Sequence, residues 1–183
     1  MWSSEVTNMI ITGIWETLYM TLVSTLVGYV IGLPMGIILT VSDKDGIKPN
    51  AVLYKILDVI ANIVRSVPFI ILLVLLIPFT RLVVGKSYGS TATIVPLVIA
   101  AAPYIARMVE SSLKEVDAGV IEAARSMGAS NFTIITKVML VEARTSLLVG
   151  ATITLGTILG YSAMSGAVGG GGPSHQWPHA WNP

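Results

Sequence analysis

The residue types that do chemistry are sparse in this chain of 183 residues, and their spacing excludes more than it admits. Gly85-Lys86-Ser87 reads like the end of a phosphate-binding P-loop, but that loop needs a glycine at position 80, where Thr80 stands. His175 and His179 have a metal-like spacing; Pro178 prevents a helix between them and no further ligand is in view, so no metal site is expected. The absence of Cys removes both a disulfide framework and a thiolate metal site. Glu122, Ala123 and Ala124, followed by Gly128, combine a carboxylate, two small side chains and a turn residue between two short helices, a pattern that on its own reads as an interfacial helix pair. Arg65 is the other suggestive group, because it lies inside an apolar run where a cation is costly unless it pairs, snorkels or faces a cavity. Asp58, two turns earlier on the same face, is one partner for it; alternatively the span begins near Val67 and Arg65 sits at the membrane interface.

The elements that must position these residues are set by composition. Hydrophobic residues make up 54% of the chain and charged ones 11%, with a mean hydropathy of +0.79. A soluble domain carries about a quarter charged residues, so most of this exterior must face lipid. A net charge of +1 argues against a nucleic-acid partner. A membrane helix needs about 20 mostly apolar residues, and four stretches qualify: about 17–41, 56–80, 88–105 and 146–168. The first is too long for a signal peptide and no Lys or Arg precedes it, so it is read as a true span, with Glu16 at its outer boundary beside Trp15 and Tyr19. Lys44, Lys48 and Lys55 follow the first span and Arg107, Lys114, Arg125, Lys137 and Arg144 follow the third, against only Arg81 and Lys86 between the second and third. Positive loops stay in the cytoplasm, which places the N-terminus outside and makes about 107–145 a cytoplasmic insertion.

Inside the spans, Ser24, Gly28, Gly32 and Gly36 form one ridge of small residues, and Thr152, Gly156 and Gly160 another; such ridges let helices approach closely, within the chain, between subunits or as generic packing. Pro34, Pro68, Pro78, Pro96 and Pro103 fall within the apolar stretches and suit broken helices. In the insertion, Asp117 is placed to cap a helix on which Val120, Ala124 and Met127 recur, Gly128 to end it, and Ser130 to cap a second helix with Phe132, Ile135 and Met139 on one face.

Glu122-Ala123-Ala124, three residues, Gly128, nine residues, Val138, one residue and Leu140 resemble the E-A-A loop of ABC importer permeases, whose pattern is E-A-A-x3-G-x9-I-x-L-P. Val138 replaces the usual Ile, and Val141 stands where the family has Pro. The segment Arg65-Ser-Val-Pro68 resembles amino-acid permeases of this class. Ile77-Pro-Phe-Thr-Arg81, Ala101 to Glu110 and Gly160-Tyr-Ser-Ala-Met164 are similar to the methionine permease subunit of such importers.

The resemblance covers about residues 13 to 170 and implies an all-α polytopic bundle of the type I importer kind in a bacterial cytoplasmic membrane. It implies a homodimer with two copies of a separate ATP-binding subunit and an extracytoplasmic binding protein that delivers D- or L-methionine; a permease for another small solute is the alternative. ATP and magnesium would belong to the partner, so this chain holds no cofactor and is no enzyme. Glu122, Ala123, Ala124, Gly128 and Leu140 would couple to the ATPase, while Tyr161, Ser162 and Met164 either line the path, as an aromatic hydroxyl and a pliable thioether would suit an apolar amino acid, or simply pack. After Val168 come four glycines and three prolines within residues 169–183, a tail expected to be disordered where the family continues into a further helix. A truncated or inactive product is therefore one expectation.

Overall fold

A computed structural model describes residues 4–166, 169 and 170, and among them every regular element is helical. The helices are α1 (Ser4–Ser42), α2 (Ala51–Ser66), α3 (Phe69–Leu75), α4 (Ile77–Val84), α5 (Ser90–Lys114), α6 (Ala118–Ser126), α7 (Asn131–Thr133), α8 (Leu140–Glu142) and α9 (Arg144–Gly166), with a π-helical segment, Ile134–Met139, between α7 and α8. Among the described residues three helices are long and apolar enough to cross a membrane, at Val6–Ser42, Ser90–Lys114 and Arg144–Gly166. A fourth span is available if the bent pair α2–α3 counts as one.

The second stretch differs most from its expectation. The stretch expected at about 56–80 is folded as most of α2, α3 and the start of α4, and α2 and α3 meet at 102°. Pro68 is the cause: it has no N–H to donate, its φ of −55° and ψ of 136° are not helical, and the residue before a proline is pushed away from the α region. Pro96 and Pro103, by contrast, sit inside an unbroken α5. The first helix starts at Ser4, well before residue 17, because Ile10, Ile11 and Ile14 extend the apolar run without a breaker. Helix α5 continues past Ile105 to Lys114, so the insertion expected at about 107–145 begins within a helix. Residues 171–183, with His175 and His179, lie outside the described residues.

The chain forms two compact units, one within 1–28, 66–101 and 155–183, the other Tyr29–Arg65 with Ala102–Thr154. In the first, Phe69 of α3 stacks on Tyr161 of α9, with ring centroids 4.6 Å apart and 7° between planes. Thr93 Oγ1 donates to Gly170 O at 3.0 Å, and Gly89 N to Gly169 O at 3.0 Å. In the second, Gly32 and Gly36 of α1 lie directly against α5: a Cβ at Gly36 would stand 2.6 Å from Ala106 O and from Val109 Cβ, and one at Gly32 would stand 2.7 Å from Ala102 O and Ile105 Cβ. Only glycine permits that approach.

Helix α2 is amphipathic in an inverted sense. Val52, Ile56, Val59, Ile60 and Ile63 are exposed, whereas Tyr54, Asp58 and Asn62, each four residues apart, carry hydrogen bonds to α5 or to one another. A helix with its apolar face outward belongs against lipid, and its polar face then needs protein partners.

Candidate functional site

The predicted docking segment is built locally. Asp117, with extended φ and ψ of −60° and 130°, caps α6 by accepting a hydrogen bond from Gly119 N at 2.7 Å. Ala124 is buried at 5% exposure and anchors the helix, while Glu122 and Ala123 face outward. Gly128 closes the turn with a φ of +81°, a left-handed conformation that L side chains rarely adopt. Ser130 then caps α7, its hydroxyl accepting from Thr133 N at 3.2 Å.

The second half of the segment departs from the expected α periodicity. Phe132, Ile135 and Met139 do not share a buried face; the chain passes through the π-helical turn, and Ile134 and Met139, five residues apart, are the buried pair. A π turn places i and i+5 in register, which no three-and-four spacing in the sequence reveals. Phe132 is 75% exposed, and with Met127 at 82% and Val120 it adds apolar surface beside Glu122 and Ala123. Leu140 is half-buried in α8, and Ala143 is a buried joint before α9. The exposed Met127 and Phe132 are of residue types enriched at protein–protein interfaces, unlike Glu122 and Ala123.

A charge network ties α5 to α2 and to the α1–α2 loop. Arg107, Glu110 and Lys114 lie on one face of α5. Arg107 binds Asp58 of α2 and, at 2.7 Å, Glu110; Lys114 binds Glu110 at 2.8 Å and Asp43 at 2.7 Å; Tyr54 donates its hydroxyl to Glu110 at 3.3 Å. The side chain of Glu110 is only 6% exposed, so it needs both cations. The signal in the sequence was the 3 and 4 spacing of these residues. Asp58 is thus taken by Arg107, and Arg65 stands instead over the Tyr104 ring at 5.9 Å. The hydrogen-bonded Lys114 ammonium holds the Asp43 carboxyl below its ordinary range, outweighing desolvation.

The structure distributes the other predicted residues unevenly. Ser24, Gly28, Gly32 and Gly36 are buried, but Thr152, Gly156 and Gly160 are exposed, and a Cβ at either of these glycines would meet nothing within 4 Å. Of the three path residues, Tyr161 is held by Phe69, Ser162 is buried with its hydroxyl donated to Leu159 O at 2.8 Å, and Met164 is 46% exposed. Gly85 has a φ of +79° as the C-cap of α4, and no helix begins at Lys86 or Ser87, so no phosphate cradle forms there. Among the described residues no cluster of His, Asp or Glu has a metal-holding arrangement.

A family model described as the inner membrane component of binding-protein-dependent transport systems matches residues 32–180. The chain is 56% identical over 158 residues to the D-methionine transport system permease protein MetI of Escherichia coli K12, covering 86% of this chain and 73% of that protein. It is 48% identical over 171 residues to the probable D-methionine transport system permease protein MetI of Vibrio cholerae, covering 93% and 76%. Among solved structures, a chain of the MetNI methionine ABC transporter in inward-facing conformations superposes with a TM-score of 0.94 at 51% identity, covering 100% of this chain and 86% of that one. An amino acid ABC transporter solved with histidines shares the fold, with a TM-score of 0.78 at 23% identity.

Proposed function

Because the chain belongs to the family of inner membrane components of binding-protein-dependent transport systems, and is a permease subunit of an ABC importer, we propose that its cargo is D- and L-methionine. In this reading two copies of the chain assemble with two copies of an ATP-hydrolysing subunit in the bacterial cytoplasmic membrane. An extracytoplasmic binding protein delivers the amino acid. ATP and magnesium are bound and used entirely by the partner, whose cycle switches the permease between inward-open and outward-open states. What carries the reading is the 56% identity to a D-methionine permease, combined with an exposed α6 whose Glu122 and Ala123 are free to meet a partner.

The same proposal puts α6 and the turn at Gly128 in a groove of the ATPase, where displacement of α6 passes through the π-helical segment and α8 into α9. On α9, Tyr161 and Met164 are three residues apart and so share a face; we assign the path to these two, with Ser162 occupied by its own helix. Labelled D-methionine uptake in a strain lacking its own methionine permease, with the ATPase present, tests the function. Uptake that requires ATP hydrolysis and falls on Glu122→Lys supports it; uptake that persists without the ATPase overturns it. For the path, Met164→Ala is expected to change the preference for methionine over smaller amino acids, and an unchanged profile counts against the assignment.

A further inference from the structure

The loop joining α1 to α2 has no role so far beyond Asp43. It borders an open cleft of about 410 Å³ whose opposite wall is α6. Asp45 and Ile47 come from the loop, Ile121, Glu122 and Arg125 from α6, and Leu113 from the end of α5. The cations of this cleft are engaged inward. Lys114 is held by Asp43 and Glu110, and Arg125 donates from Nη2 to the Ile47 carbonyl at 3.2 Å, tying α6 to the loop. The carboxylates are not engaged in the same way. Among the described residues Glu122 makes no ion pair, and Asp45 has only Lys44 on the rim at 3.7 Å, with both side chains more than four-fifths exposed.

We propose that residues 43–48 form a second wall of the ATPase-docking surface, and that the cleft between this wall and α6 receives a basic side chain, Arg or Lys, from the ATP-hydrolysing subunit. The inference rests on the docking role of α6 proposed above and extends it to a separate stretch of chain. Two outward carboxylates on facing walls over an apolar floor of Leu113 and Ile121 suit a cationic head on an aliphatic stem. The Arg125 tether makes the loop and α6 one continuous surface, so a partner seated on one helix face meets the loop as well.

The absence of Cys makes the test direct, because any introduced thiol is unique. Asp45→Cys, Glu122→Cys and Tyr88→Cys are labelled on this chain with a photoactivatable maleimide, and the importer is then assembled with the ATPase of the similar MetNI transporter before irradiation. Tyr88 is exposed in the α4–α5 connection, which the distribution of Lys and Arg assigns to the outer side, and serves as the control. Crosslinks to the ATPase from positions 45 and 122, and none from 88, support the proposal. A crosslink from 122 alone overturns it while leaving the proposed function standing; crosslinks from neither remove the docking reading as well; a crosslink from 45 only to a second copy of this chain also overturns it. Independently, Asp45→Lys should weaken ATPase association about three- to tenfold at low salt, an effect that shrinks as salt is raised. Association unchanged by Asp45→Lys contradicts the charge complementarity on which the cleft's occupant depends.

Discussion

Two ridges of identical appearance in the sequence should respond in opposite ways to the addition of one methyl group. At Gly36 the new Cβ of Gly36→Ala would stand 2.6 Å from Ala106 O and Val109 Cβ, about 0.8 Å inside the shortest ordinary van der Waals contact of 3.4 Å. Neither atom can rotate away, since one is backbone and the other is the branch point of a β-branched side chain, so α1 must move off α5. Overpacking of this kind costs about 1–3 kcal/mol, and rigid obstacles put it in the upper half of that range. The better helix propensity of Ala returns about 1 kcal/mol, leaving a net loss of about 1–2 kcal/mol. At Gly156 the same change meets nothing within 4 Å, so only the propensity gain of about 0.5–1 kcal/mol remains. The two sites should therefore differ by about 2–3 kcal/mol, combining these estimates. Unfolding of the dispersed single chain by SDS in mixed micelles, followed by helicity, measures the difference. If Gly36→Ala were as stable as the parent, or Gly156→Ala lost as much, the α1–α5 contact would not be what it is described to be. Gly32→Ala should behave like Gly36→Ala, and the double variant should fall short of additivity because both press on the same stretch of α5.

Arg107→Gln removes one of the two cations that hold the buried Glu110 and is expected to cost about 3 kcal/mol, near the lower end for breaking a buried pair because Lys114 remains; the same detergent titration reads it, and a loss below about 1 kcal/mol would place Glu110 in water. The Asp43 carboxyl is held below its free value of 3.8 by Lys114, so its contribution to stability is complete above that pH and drains away as pH falls through the lower folded value. Unfolding measured between pH 6 and pH 3 should show this acid-side loss in the parent and a flatter profile in Asp43→Asn. Asp117→Ala deletes the cap on α6 and should cost about 1 kcal/mol locally, seen as about fivefold faster amide exchange across α6 with little change elsewhere.

Features that depend on neighbours in the chain could be read from the residues alone. The caps at Asp117 and Ser130 and the left-handed turn at Gly128 require only a few adjacent residues, and these form as their types dictate. Helical spans follow from apolar length, because a backbone in lipid must satisfy its own hydrogen bonds. The ends of those spans were less accessible: α1 and α5 run on for as long as nothing breaks them, and Pro68 coincides with a sharp bend whereas Pro34, Pro96 and Pro103 lie inside unbroken helices.

Which face of each helix turns inward was decided by the tertiary structure. Asp58 lies on the same helix face as Arg65 yet binds Arg107, because α5 brings a cation with its own acidic neighbours to that spot. Small residues four apart allow a close approach in either ridge, but only α1 meets a helix there; α9 leaves Gly156 and Gly160 open. The π turn likewise moves the buried register from Ile135 to Ile134, a shift of one residue that no three-and-four spacing encodes. Residue type and spacing thus determined which stretches are apolar enough to enter a membrane and where α6 is capped and turned. Long-range packing chose the pairings, since burial energy and charge complementarity depend on what the fold places opposite each residue.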